Sequence, residues 1–135
     1  MSKYFTLNEM IKSRAAKEYN INNTPTDSRI ISNIEYTMDR MDVIRELWGG
    51  PIYVNSGYRC DKLNKKVGGS ASSFHRKGLA MDITTHNRET NKELFNLIRA
   101  KFQFDLLIDE QDYSWIHIQF KRDKKEERNL IRRLP

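Results

Sequence analysis

From Asp27 onward, apolar residues recur at Ile30, Ile31, Ile34, Met38, Met41, Ile44, Leu47 and Trp48, and the run stops at Gly49-Gly50-Pro51. Spacings of three and four put these residues on one side of a long amphipathic α-helix, which the Gly-Gly-Pro sequence ends. Such a helix is core scaffold rather than a cofactor or partner groove. Its apolar stripe needs a covering layer, so the rest of the chain must pack against it.

The remaining pattern supplies that layer. Thr6-Leu7-Asn8-Glu9 reads as a capping box opening a short helix, with Met10, Ile11 and Ala15 turned inward. Residues 20–26 are a polar loop containing Pro25. Ile52-Tyr53-Val54 is a short β-type run leading into Asn55-Ser56-Gly57-Tyr58-Arg59, and residues 60–73 read as a long surface loop. A strand is expected over 79–84 and a helix over 91–102, with Leu94, Phe95, Ile98 and Phe102 inward. Two strands follow at 104–109 and 115–120, joined by a hairpin-like connection over 110–114. Residues 121–135 read as a charged, helical tail in which Leu130, Ile131 and Leu134 could pack back on the body. With no repeat and no linker, the expectation is a single α+β domain spanning 1–135. Its N-terminal helices pack on a small antiparallel sheet.

Composition narrows the function. At 135 residues there is material for one core. A hydrophobic content of 38% and an aromatic content of 10% exclude a disordered chain. The net charge of +6 favours anionic partners: nucleic acid, an anionic membrane or an anionic cell-wall polymer. The segment Lys121 to Arg128 mixes both signs and reads as a solvated face, not a binding patch. Gly68-Gly69 has no P-loop pattern around it, so a permissive turn explains it. Cys60 is the single cysteine, which excludes an intramolecular disulfide and a thiolate zinc cluster. The first residues carry no long apolar run, so the chain is expected to be made in the cytoplasm without a signal peptide or membrane span.

Three residues carry the chemistry. His75 precedes a glycine turn, Asp82 follows it, and His117 sits inside the alternating pattern Trp115-Ile116-His117-Ile118-Gln119. Alternation puts His117 on one face with Trp115 and Gln119, and Asp82 on one face with Ala80. If the two strands are neighbours, Asp82 and His117 project together and His75 arrives from the preceding loop. Two imidazoles and a carboxylate leave a fourth tetrahedral position for water, the composition of a catalytic rather than a structural zinc site. His86, in Thr85-His86-Asn87-Arg88, reads as an ordinary loop histidine.

The order Ser73-x-His75-x-x-Gly78-x-Ala80-x-Asp82 followed by Trp115-x-His117 resembles the zinc D-alanyl-D-alanine peptidases. That group includes carboxypeptidases, dipeptidases and phage cell-wall endopeptidases, and shares its fold with Hedgehog signalling domains. Ser56-Gly57-Tyr58-Arg59 and Leu63-Asn64-x-x-Val67-Gly68-Gly69 match further segments, so the resemblance runs from Phe5 through Phe120. It implies one Zn²⁺ per chain held by His75, Asp82 and His117, activating water and polarising a scissile carbonyl. It implies that Arg59 holds substrate or stabilises the oxyanion, that Ser73 lies in the substrate site, and that Glu110 is the general base. A better-known branch has an acid three positions before the last histidine, where this chain has Ser114, so Asp109 and Asp112 compete with Glu110.

The expected activity is hydrolysis of amide bonds in peptidoglycan stem peptides, as a D-Ala-D-Ala carboxypeptidase or an endolysin-type endopeptidase of phage character. The chain would act at the bacterial cell wall, after holin-type release or as a virion component, and as a monomer. No specific nucleic-acid partner is expected. The rival reading is a non-enzymatic zinc-bearing structural or binding module, which would keep the ligands but have no need of the base or of Arg59.

Overall fold

A computed structural model of the chain describes residues 2–135. Helix α1 (Leu7–Ile11) opens on the expected capping box: Thr6 accepts from the Glu9 N–H and Glu9 reaches back to the Thr6 N–H. The first helical segment is two helices, not one. It breaks at Lys12, and α2 (Arg14–Glu18) restarts on Ser13, whose hydroxyl accepts the Ala16 N–H at 3.1 Å. A second capping residue so close to the first explains the break. Ala16, rather than Ala15, is the fully buried alanine.

Helix α3 (Ser28–Trp48) is the long scaffold, capped by Asp27 and closed by Gly49 in the left-handed region. Ile34, Thr37, Met38, Met41 and Ile44 form its buried stripe, whereas Leu47 is 56% exposed beyond the covering layer. Strand β1 (Tyr53–Ser56) follows. Within the stretch read as a loop, Asp61–Lys66 forms a further helix, α4, because Cys60 caps it and Leu63 and Asn64 turn inward. Strand β2 (Ala80–Thr84), helix α5 (Arg88–Lys101), strand β3 (Leu106–Glu110) and strand β4 (Trp115–Gln119) fall where the pattern predicts them.

The tail departs from the helical expectation. After a 3-10 turn at Lys124–Glu126, residues Leu130–Leu134 form strand β5, which pairs in parallel with β3. The sheet is therefore mixed, in the order β1-β2-β4-β3-β5, with every other pair antiparallel. Long-range contacts dictate this. Arg40 on α3 grips the wholly buried Glu127 carboxylate at 3.0 and 3.1 Å and lies over the Phe120 ring. The Asn129 and Leu130 N–H groups donate to Phe104 and Asp105, setting the edge strand in register. Residues 121–127 are thus anchored to the body, while residues 122–126 stay exposed as the solvated charged face.

Met81, Ile83, Leu107, Ile116 and Ile118 point from the sheet onto α3 and α5 and make the core. The opposite face carries Ala80, Asp82, Ile108, Glu110, His117 and Gln119, as the two-residue period requires. No helix among the described residues is long and apolar enough to cross a membrane.

Candidate metal centre

Asp82 and His117 are register partners in the antiparallel β2–β4 pair, so their side chains leave the sheet side by side. His117 Nδ1 lies 3.0 Å from Asp82 Oδ1. His75 comes from the 3-10 turn Phe74–Lys77, where the Ser73 hydroxyl accepts the His75 N–H at 3.2 Å. Gly78 closes that turn at φ +76°, and a Cβ there would sit 2.7 Å from Ile34. Thr37 of α3 donates to the Gly78 carbonyl at 2.8 Å, so the scaffold helix fixes the turn that carries His75.

The ring of His75 is 2% exposed. Its Nδ1–H donates to the Gly57 carbonyl at 2.6 Å, leaving the lone pair on Nε2. That Nε2 is buried, makes no hydrogen bond, and lies 3.3 Å from Asp82 Oδ1. Helix α1 holds Gly57 in place: the Met10 carbonyl accepts the Tyr58 N–H at 2.7 Å, and a Cβ on Gly57 would strike the Met10 backbone. His75 Nε2, Asp82 Oδ1 and His117 Nδ1 converge, with one donor atom from each residue within 4.8 Å of the others. The orphaned lone pair, with two nitrogens and one carboxylate oxygen converging and no thiolate, fits a divalent transition metal such as zinc.

Electrostatics support an ionised carboxylate among the rings. Burial pushes Asp82 up, but the His117 and His75 rings more than offset it and hold the carboxyl well below the usual range. Burial disfavours charge on His117, while Asp82, Gln119 and Glu110 outweigh that and raise its pKa in the metal-free protein.

The triad opens into a cleft of about 710 Å³. Arg59, Ser73 and Glu110 line it together with all three of His75, Asp82 and His117. Arg59 is held by Ser56 Oγ at 3.3 Å and Asn64 Oδ1 at 3.1 Å, with Nη2 3.8 Å from Asp82 Oδ2. Burial lowers its pKa, against the pull of Asp82 and Glu110. Gly69 has to be glycine here, since a Cβ would collide with Asn64 and come within 2.9 Å of Arg59 Nη1. Glu110 shares the sheet face of His117; burial and then the Asp82 charge raise its carboxyl, with the His117, Trp115 and His75 side chains opposing.

The other acids lie elsewhere. Asp109 points to the opposite face, 2% exposed, where it accepts the Tyr113 N–H at 2.6 Å and pairs with Arg133 at 3.0 Å. Asp112 sits in the exposed β3–β4 turn at φ +53°. His86 is outside the triad, exposed and packed on the Tyr53 ring at 4.2 Å.

Four residues around the site escaped sequence reasoning. Gln119 accepts from His117 Nε2 at 2.8 Å, Asn64 orients Arg59, and the tail contributes Arg128 and Leu134 to the cleft wall. Strand alternation had put Gln119 on the His117 face, and a polar residue there was the available signal. The others depend on tertiary contacts.

Comparison with known proteins points the same way. A family model described as Peptidase M15 matches residues 3–119. A search of curated proteins returned no match.

Proposed function

The chain belongs to the peptidase M15 family, and from that premise and the cleft geometry we propose that it is a zinc metallopeptidase acting on peptidoglycan stem peptides. The buried, unpartnered Nε2 of His75 carries the metal part of this reading, because a lone pair withdrawn from water without a partner is costly. His75 Nε2, Asp82 Oδ1 and His117 Nδ1 would hold the ion. Zinc bound there supplies a Lewis acid for the scissile carbonyl and lowers the pKa of water.

The protein's own groups then handle protons and charge. Glu110, ionised, takes the proton of the attacking water and returns it to the amide nitrogen as the C–N bond breaks. Arg59 faces the cleft with its fork already fixed by Ser56 and Asn64, so it meets the developing oxyanion with little reorganisation. Ser73 accepts the His75 N–H with its oxygen and keeps its hydroxyl proton for a substrate carbonyl.

A phage-type endolysin acting at the cell wall, or a D-Ala-D-Ala carboxypeptidase, are the specific forms of this proposal. Mass spectrometry of fragments released from purified peptidoglycan, with and without chelator, tests it. Chelator-sensitive cleavage at one stem-peptide bond is expected; undiminished cleavage in chelator, or none with zinc supplied, would overturn it.

A further inference from the structure

The amide of Gln119 spans two groups with opposite needs. On one side Asp105, 0% exposed, accepts from Gln119 Nε2 at 2.8 Å. The same carboxylate accepts from Arg128 three times, through its backbone N–H at 3.2 Å, Nε at 3.0 Å and Nη2 at 2.7 Å. Burial pushes this carboxyl up, yet Arg128 and Gln119 bring it down to about 2, so it is ionised at neutral pH. An ionised carboxylate can only accept. Gln119 must therefore turn its NH₂ toward Asp105 and its Oε1 toward His117, and the network fixes the amide's orientation.

An amide oxygen is also an acceptor only, so the His117 Nε2 lying 2.8 Å from it has to carry a hydrogen. Asp82 is itself an acceptor, so Nδ1 donates to it without a metal and frees its lone pair when one binds. Donor–acceptor polarity runs unbroken from Arg128, which lies beyond the residues 3–119 matched by the family model, to the metal-facing nitrogen.

We infer that Gln119 and Asp105, clamped by Arg128, are positioning residues that hold His117 in the Nε2–H tautomer and present Nδ1 to the metal. The affinity readout rests on the zinc reading; the tautomer readout does not. Loss of an outer partner of this kind costs about 10- to 100-fold in metal affinity.

Nitrogen-15 NMR of the His117 ring, with and without zinc, tests the relay alongside the zinc Kd. The wild-type ring is expected to carry a hydrogen on Nε2 in both states, joined in the zinc-free protein by a second on Nδ1, which faces the Asp82 carboxylate. Gln119→Leu, similar in size and apolar, should leave the zinc-free ring with its hydrogen on Nδ1 alone and weaken zinc by about 10- to 100-fold. Gln119→Glu, sharing a proton with Asp105, keeps an acceptor toward His117 and should restore the Nε2 hydrogen. A zinc-free wild-type ring with no hydrogen on Nε2 overturns the inference. So does a folded Gln119→Leu protein with unchanged tautomer and zinc affinity, or a folded Gln119→Glu protein that fails to restore Nε2–H. A wild-type chain that binds no zinc yet keeps the proton on Nε2 removes the metal reading and leaves the relay standing.

Discussion

His117 faces Asp82 directly across the β2–β4 pair, with Nδ1 3.0 Å from Oδ1, on a sheet face whose reverse side is the hydrophobic core. Two of the three donors are thus fixed by strand register rather than by a loop. A one-residue slip of either strand would turn its own ligand into the core.

Replacing either histidine of the cluster should therefore empty it without unfolding the chain. His117→Ala and His75→Ala are expected to lose bound zinc and hydrolysis together, read by elemental analysis and peptide turnover. His86→Ala should change neither, because that ring packs only on Tyr53 outside the cleft. A large loss there would mean that a different histidine holds the metal.

Asp109 gives a contrasting outcome. It is buried on the core face and satisfied by Arg133 and the Tyr113 N–H. Asp109→Ala strands that part-buried N–H and the Arg133 guanidinium, at a cost of roughly 1–3 kcal/mol. A lower thermal midpoint with turnover per folded molecule preserved is expected. Lost turnover at full stability would move the base from Glu110 to Asp109.

Most of the architecture could be read from the chain because it depends on local periodicity. The α3 stripe, the capping box at Thr6, and the alternation that put Asp82 and His117 on one face are short-range signals. The misread regions depend on distant partners. Strand β5 exists because β3 offers an open edge and because Glu127 finds Arg40 on α3, far away in sequence. Helix α4 hides in a Gly-, Ser- and Lys-rich stretch whose organising residue, Asn64, is buried against Arg59 and the Ser70 carbonyl. At the site, the ligands had a motif, whereas Asp105 and Arg128 had none.

Asp105 also sets an acid limit to the fold. Its folded pKa of about 2 lies below the ordinary 3.8, so its contribution is fully present above 3.8 and is lost as pH falls through about 2. Arg128→Ala removes the main cause of the depression and should flatten this part of the stability–pH curve. Thermal midpoints of both proteins between pH 5 and 2 would check it, and identical slopes would show that Arg128 is not the cause.

Gly69→Ala tests the arginine without touching it. The added methyl collides with Asn64 and approaches Arg59 Nη1 to 2.9 Å, so the guanidinium has to leave its fixed position. Zinc content should stay at one ion per chain while turnover falls, since the change displaces the Arg59 side chain from Asn64 and leaves the backbone contacts of Gly57 and Arg59 to His75 in place. Loss of metal along with activity would show that the loop supports the ligands as well.

The strongest division between an enzyme and a zinc-bearing structural module lies in Glu110. Its carboxyl is raised by burial first and then by the Asp82 charge, so in the metal-free protein it should titrate above an exposed glutamate. Carbon-13 NMR of the side chain would show this. Adding zinc places a divalent charge close by and should move the value down, keeping the base ionised at neutral pH. Activity is then lost on the acid side, as Glu110 takes up a proton and the imidazoles compete with the ion for theirs. Glu110→Gln keeps the shape and removes the base. Zinc content and thermal midpoint should be unchanged while turnover drops by about 10²- to 10⁴-fold, the usual share of general-base catalysis. A Glu110→Gln protein with wild-type turnover would sink this mechanism. A wild-type protein that binds zinc and cleaves no peptide would make the chain a structural module.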